Sequence, residues 1–146
     1  MSQLQPPILL VEDNDDDADL TAMAFREANI ANPILRVRDG VEALSHLHGN
    51  GSDGAQVLPV VVLLDLKLPR VGGIDVLKSI RSHEATKHLP VVILTSSDED
   101  TDRVAAYAHY ANSYVRKPVD YDAFVAASRR LGLYWTVTNM PPPPGR

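Results

Sequence analysis

Short apolar runs alternate along the chain with longer segments whose apolar residues recur every three or four positions. The runs are Ile8–Glu12, Ile34–Arg38, Val60–Asp65, Val91–Thr95 and Ser113–Arg116. Ile8-Leu9-Leu10-Val11, Val60 to Leu64 and Val91-Val92-Ile93-Leu94 are apolar on both faces, the mark of parallel strands covered by helices on each side. Ile34-Leu35-Arg36-Val37-Arg38 carries two arginines, as an edge strand does. Between the runs, Asp16 to Asn29 has Leu20, Ala24 and Ala28 at i+4 spacing, and Val41 to His48 has Val41, Leu44 and Leu47. Ile74 to His83 has Ile74, Leu77 and Ile80, and Asp120 to Leu133 has Phe124, Ala127 and Leu131. A fourth helix is entered through Ser97-Asp98-Glu99-Asp100, with Ser97 as N-cap and acids in the first turn. Asp39-Gly40, Gly49 to Gly54 and Ala111-Asn112 read as turns.

Strand followed by helix, five times over, predicts an α/β fold: a doubly wound five-stranded parallel sheet with right-handed crossovers. Such sheets place their sites beyond the carboxyl ends of the strands, where the strand order reverses. The first strand ends in Glu12-Asp13, the third in Asp65, the fourth in Thr95 followed by Ser96-Ser97, and the fifth in Lys117-Pro118. In the order 2-1-3-4-5 the first and third strands are neighbours. Glu12, Asp13 and Asp65 then meet, with Thr95 and Lys117 on the other side of Asp65. Three carboxylates in one crevice repel one another, and a divalent cation compensates them. Oxygen ligands with open positions suit Mg²⁺, which accepts phosphate oxygens. A carboxylate nucleophile, Mg²⁺, an ammonium and a hydroxyl together make a site for phosphoryl transfer onto aspartate.

Composition narrows the function classes. The 146 residues carry 14 Lys+Arg against 19 Asp+Glu, a net charge of −5. That balance, with no basic run, argues against nucleic acid as a partner. The absence of cysteine excludes disulfides, thiol nucleophiles and thiolate metal sites. The longest apolar run, Val57 to Leu66, is too short to span a membrane and carries Pro59 and Asp65. The amino-terminal residues show no signal-peptide pattern, so the expected location is the cytoplasm.

Glu12-Asp13, Asp65, Thr95 and Lys117-Pro118 in this order resemble the receiver domain of two-component response regulators, over Pro7 to Leu133. Leu63 to Gly73 resembles the family's phosphorylation loop, with Asp65 at the acceptor position. The resemblance implies a flavodoxin-like fold and, residue by residue, a mechanism. Glu12 and Asp13 hold Mg²⁺ with Asp65 and the backbone carbonyl of Lys67, and Asp65 takes a phosphoryl group from the phosphohistidine of a sensor histidine kinase. Lys117 bridges to the phosphoryl, Thr95 moves toward it, and Tyr114, at the aromatic switch position, swings inward. Lys117-Pro118 matches a site where the family commonly has a cis peptide. Glu in place of Asp at position 12 is a variation the family tolerates. Lys67 and Ser97 occupy positions that tune hydrolysis of the aspartyl phosphate, Lys67 either by shielding the phosphoryl from water or by screening its charge.

Blander readings stand beside these. Six acids fall between residues 12 and 19, and Asp15, Asp16, Asp17 and Asp19 read as a solvated helix amino terminus favoured by the macrodipole. Thr95 taken alone is a capping hydroxyl, and Tyr114 taken alone is a half-buried strand aromatic. The five histidines share no metal-ligand spacing and read as surface residues. Residues 134–146 form a carboxyl-terminal extension with the only Trp, ending in Pro141-Pro142-Pro143-Pro144, a stiff polyproline segment, and two more residues. It either packs on its own domain or serves as an arm that builds a homodimer. A receiver extended in this way resembles the response regulators that pair with phytochrome-type kinases. With no room for a DNA-binding domain, the signal is expected to leave by protein contact, through the fourth helix, fifth strand and fifth helix. A phosphorylation-independent pseudo-receiver and an aspartate-nucleophile phosphatase of the haloacid-dehalogenase type are the alternatives. The second is disfavoured by Lys67, which stands where such phosphatases place a general acid.

Overall fold

The structure, a computed structural model, describes residues 5–49, 58–96, 99–117, 120–138 and 140. Five strands, β1 (Ile8–Val11), β2 (Ile34–Val37), β3 (Val61–Leu64), β4 (Val91–Thr95) and β5 (Ser113–Arg116), alternate with five helices. The helices are α1 (Asp15–Glu27), α2 (Gly40–His48), α3 (Gly73–Ser82), α4 (Asp100–Ala108) and α5 (Tyr121–Leu133). The sheet is parallel throughout and ordered β2-β1-β3-β4-β5, as expected. Every residue of β1, β3 and β4 is buried, whereas β2 and β5 are the partly exposed edges.

Alternation along the strands splits the core in two. Leu9, Val11, Val62, Leu64, Val91 and Ile93 face α2 and α3 and pack on Ala43, Leu47, Val76, Leu77 and Ile80. Ile8, Leu10, Val61, Leu63 and Val92 face the opposite way and pack on Ala18, Ala24 and Phe25 of α1.

The expected elements are present, with shifted ends. β1, β2 and β3 stop one residue short of Glu12, Arg38 and Asp65, so these polar residues stand just beyond the sheet. α1 begins at Asp15 because Asn14 caps it, its side chain accepting from the Asp17 N–H. It ends before Asn29, which takes a left-handed φ of 58°. Asn29 and Ile30 donate back to Arg26 and Phe25, closing the helix as a Schellman motif. α4 begins at Asp100 with Glu99 in the cap position and no side-chain cap bond, which displaces the expected Ser97 cap. Ser97 itself lies outside the described residues, as do Pro118, most of the Gly49 to Gly54 turn and the four prolines. Beyond α5 the chain continues as a π-helical segment, Tyr134–Thr138, which places Trp135 in the α1-side core, only 8% exposed.

His48 departs from the surface reading, while its neighbour His83 is exposed. The half-buried His48 of α2 stacks on His83 after α3, with ring centroids 3.6 Å apart, and its Nε2 meets the Ser79 hydroxyl at 2.9 Å. Burial and the neighbouring His83 hold the His48 pKa below its ordinary value.

Candidate functional site

Pairing of the strand ends assembles the site. The Asp65 N–H donates to the Val11 carbonyl at 3.1 Å, and the Lys117 N–H donates to the Thr95 carbonyl at 2.7 Å. β1 and β3 thereby deliver Glu12, Asp13 and Asp65 to one crevice, and β4 and β5 deliver Thr95 and Lys117 beside it. Gly73 closes the floor: a Cβ there would overlap the Asp65 carbonyl oxygen, so the start of α3 packs directly on the acceptor strand.

Glu12 and Asp65 are buried, at 3% and 7% exposure, while Asp13 is exposed. One carboxylate oxygen from each of the three lies within 4.8 Å of the others. Such an all-oxygen trio, open on the Asp13 side, fits a hard divalent cation. Thr95 is fully buried, and its hydroxyl donates to Asp65 Oδ1 at 2.8 Å. The Lys67 N–H donates to the same oxygen at 3.2 Å. The Lys67 ammonium extends over the surface toward Glu99, 3.9 Å away. Tyr114 is half-buried on β5 beside Ile93, with its ring against the α2–α3 core.

Lys117 is the hub. Its ammonium donates to Glu12 Oε1 at 2.5 Å, to Asp17 Oδ2 at 2.9 Å and to Asp65 Oδ2 at 3.2 Å. Burial alone would favour the neutral amine. The hydrogen bonds of Asp17 and Glu12 and the charges of Asp65 and Glu12 outweigh it, so the Lys117 pKa lies above the ordinary lysine value. For Glu12 burial prevails over the hydrogen bond and charge of Lys117, and its pKa is pushed up to about 7. Glu12 also accepts the Asn14 N–H through Oε2 at 3.2 Å, which uses the longer arm of Glu at this position.

The solvated reading of the α1 acids holds for Asp15, Asp16 and Asp19, which are exposed, but not for Asp17. Asp17 turns inward to Lys117. Asp15 pairs with Arg36 at 2.9 Å and Arg38 at 2.8 Å, and hydrogen bonding to Arg36 with the charge of Arg38 holds its pKa down. Arg36 also donates through Nε to the Glu12 carbonyl at 2.7 Å, clamping the acidic loop to β2. Asp17 is the one site residue that no sequence signal marks, since acids at a helix start look alike along the chain. No linear spacing links it to Lys117.

Residues 8–129 match the sequence profile of the response regulator receiver domain. The chain belongs to that family. Among relatives, this receiver is 39% identical to the probable methanogenesis regulatory protein FilR2 of Methanothrix harundinacea, over 94% of this chain and 88% of the other. It is 32% identical to the response regulator Rcp1 of Synechocystis, covering 91% and 92%. The Mn²⁺-bound crystal structure of Rcp1 superposes with a TM-score of 0.88 at 30% identity, covering 94% of this chain and 99% of that one. The phosphorylated cyanobacterial phytochrome response regulator RcpA superposes with a TM-score of 0.87 at 30% identity, covering 95% and 99%. This receiver is therefore a response regulator of the Rcp1 and RcpA kind. It acts in two-component signalling through phosphorylation on aspartate, with a histidine kinase as partner and a divalent cation as cofactor.

Proposed function

We propose that Asp65 is the phosphoacceptor of this receiver, with Glu12, Asp13 and Asp65 as the cation ligands and Mg²⁺ as the cation. The observation that carries the reading is the convergence on Asp65 of the Thr95 hydroxyl at 2.8 Å and the Lys117 ammonium at 3.2 Å, beside two further carboxylates. An Asp65 oxygen attacks the phosphorus of the kinase phosphohistidine. The P–N bond breaks, its electron pair returns to the imidazole, and an acyl phosphate forms on Asp65. Lys117 and Thr95 then lie within reach of the new phosphoryl oxygens, where an ammonium and a hydroxyl donor stabilise developing charge. A bound Mg²⁺ supplies charge neutralisation of the phosphoryl oxygens, and the backbone carbonyl of Lys67 completes its protein ligands. As Thr95 leaves its present bond for the phosphoryl, Tyr114 follows inward, and the change reaches the α4–β5–α5 face. That face exposes Val104 and Tyr107, at 69% and 50%. Phosphorylation thereby shifts the population toward a form that a partner protein recognises.

The reading extends to organisation. Residues 7–133 form the receiver, in the cytoplasm, fed by a phytochrome-type kinase, in line with the pathway that the name of RcpA states for that protein. Residues 134–146 form an extension that builds a homodimer. Its support is the exposure of Leu133, Tyr134 and Met140, at 39%, 48% and 88%, and a groove of about 460 Å³ along the open β5 edge that Tyr134 lines. No described helix is long and apolar enough to cross a membrane.

Acetyl phosphate with Mg²⁺ is expected to add one phosphoryl group, read by intact mass, to wild type and none to Asp65→Asn. A panel of histidine kinases should include one that transfers phosphate to wild type only. Modification of Asp65→Asn at the wild-type rate would refute the assignment.

A further inference from the structure

We infer that Asp17 is a positioning residue of the phosphoryl-transfer site: it gives the Lys117 ammonium a carboxylate that a cation does not contest. The inference rests on the phosphoacceptor reading above. Lys117 has three carboxylate partners among the described residues, and two of them, Glu12 and Asp65, belong to the cation-holding trio. Asp17 is the third and lies outside it. The Lys117 side chain is 6% exposed, so its charge depends on paired carboxylates rather than on water. A cation entering the trio draws on the same two carboxylates, Glu12 and Asp65, that the ammonium contacts, and it repels the ammonium as a like charge.

Asp17 is built to relieve this conflict. Its N–H is held by the Asn14 side chain at 2.9 Å and its carbonyl accepts the Thr21 hydroxyl at 2.9 Å, which fixes the turn that carries it. The side chain is 31% exposed and its Oδ2 sits 2.9 Å from Lys117 Nζ, on the α1 side of the ammonium. Lys117 can lean toward Asp17 as Glu12 and Asp65 turn to the cation, and it stays charged and close to the acceptor. Without Asp17 the ammonium leans wholly on the trio and competes with the cation.

Calorimetric titration of the full chain with MgCl₂ tests this. Asp17→Asn is expected to weaken Mg²⁺ binding about three- to tenfold, within the lower part of the range for coupled neighbouring groups. Asp17→Glu should recover most of that loss. In the Lys117→Ala background the Asp17→Asn loss should vanish, because the effect travels through the ammonium. Asp16→Asn, on the exposed side of the same turn, measures the plain loss of one negative charge and should change little. Asp17→Ser serves in place of Asp17→Asn if thermal melts show that the latter does not fold. An equal loss with and without Lys117, or a loss no larger than that of Asp16→Asn, would overturn the inference. Wild type that binds no Mg²⁺ would instead remove the phosphoacceptor reading beneath it.

Discussion

Glu12 sets the pH response of the site at the scale of one residue. Burial raises its carboxyl to about 7 despite Lys117 beside it, whereas in the unfolded chain it titrates near the ordinary 4.5. The folded protein thus holds this proton more tightly than the unfolded chain does. The stabilisation from that difference is complete below 4.5 and is lost as pH rises to about 7. Cation binding runs the opposite way, because a ligand carboxylate must be deprotonated. Mg²⁺ is therefore expected to raise the unfolding temperature little at pH 6 and substantially at pH 8, with the change centred near 7. Thermal melts with and without MgCl₂ across this range check the sign, and a Mg²⁺ effect that shrinks with rising pH would contradict it. Glu12→Gln should flatten the dependence.

Among the elements, α3 is tied to the β4 and β5 approaches by one side chain. Arg81 donates to the carbonyls of Lys87 at 3.2 Å and Leu89 at 2.8 Å, to Tyr110 at 3.1 and 2.8 Å, and to the Asn112 side chain at 3.1 Å. Tyr110 sits at a left-handed φ of 65°, a conformation that costs energy for a bulky residue and that this clamp offsets. Asn112 in turn accepts the Val91 N–H at 2.8 Å, where β4 begins. Arg81→Ala strips these carbonyls of a charged donor and is expected to cost about 2 kcal/mol, or roughly 6 °C in Tm. Phosphorylation by acetyl phosphate should persist, since the clamp lies at the opposite end of the sheet from Asp65. An unchanged melting temperature would show that water replaces the guanidinium without loss.

For the molecule as a whole, the proposed homodimer is testable at the carboxyl-terminal segment. Tyr134 and Trp135 are adjacent and in edge contact, with ring centroids 4.9 Å apart, yet one is 48% exposed and the other buried. They are expected to separate stability from association. Trp135→Ala empties part of the α1-side core and should cost about 3 kcal/mol of folding stability. Tyr134→Ala should leave folding within about 0.5 kcal/mol, as surface changes do, and weaken the proposed dimer. Light scattering of wild type, Tyr134→Ala and a chain ending at Leu133 reads the association directly. A wild-type chain that scatters as a monomer at all concentrations would refute the proposed arm.

What was legible along the chain is what burial imposes locally. A strand covered on both faces must be apolar at every position, and a helix on a sheet must be apolar every third or fourth. All five strands, the five helices and the polar strand ends Glu12, Asp65, Thr95 and Lys117 could therefore be placed from the sequence. The carboxyl ends of β1, β2 and β3 fell one residue short of the expectation. Asp17 and Arg36 were not legible in this way. Asp17 meets Lys117 across 100 positions, and Arg36 meets the Glu12 carbonyl across 24. Acids at a helix start look alike in sequence, whether they face solvent or a buried ammonium. The turn at Asn14 and the crossovers that set α1 over the strand ends decide which acid turns inward. The same holds for Trp135, whose burial depends on the π-helical segment carrying it onto the α1 side of the sheet. Local composition determined the elements and the chemistry at their ends, and tertiary packing decided the partners, because an ion pair depends on distance in space and not along the chain.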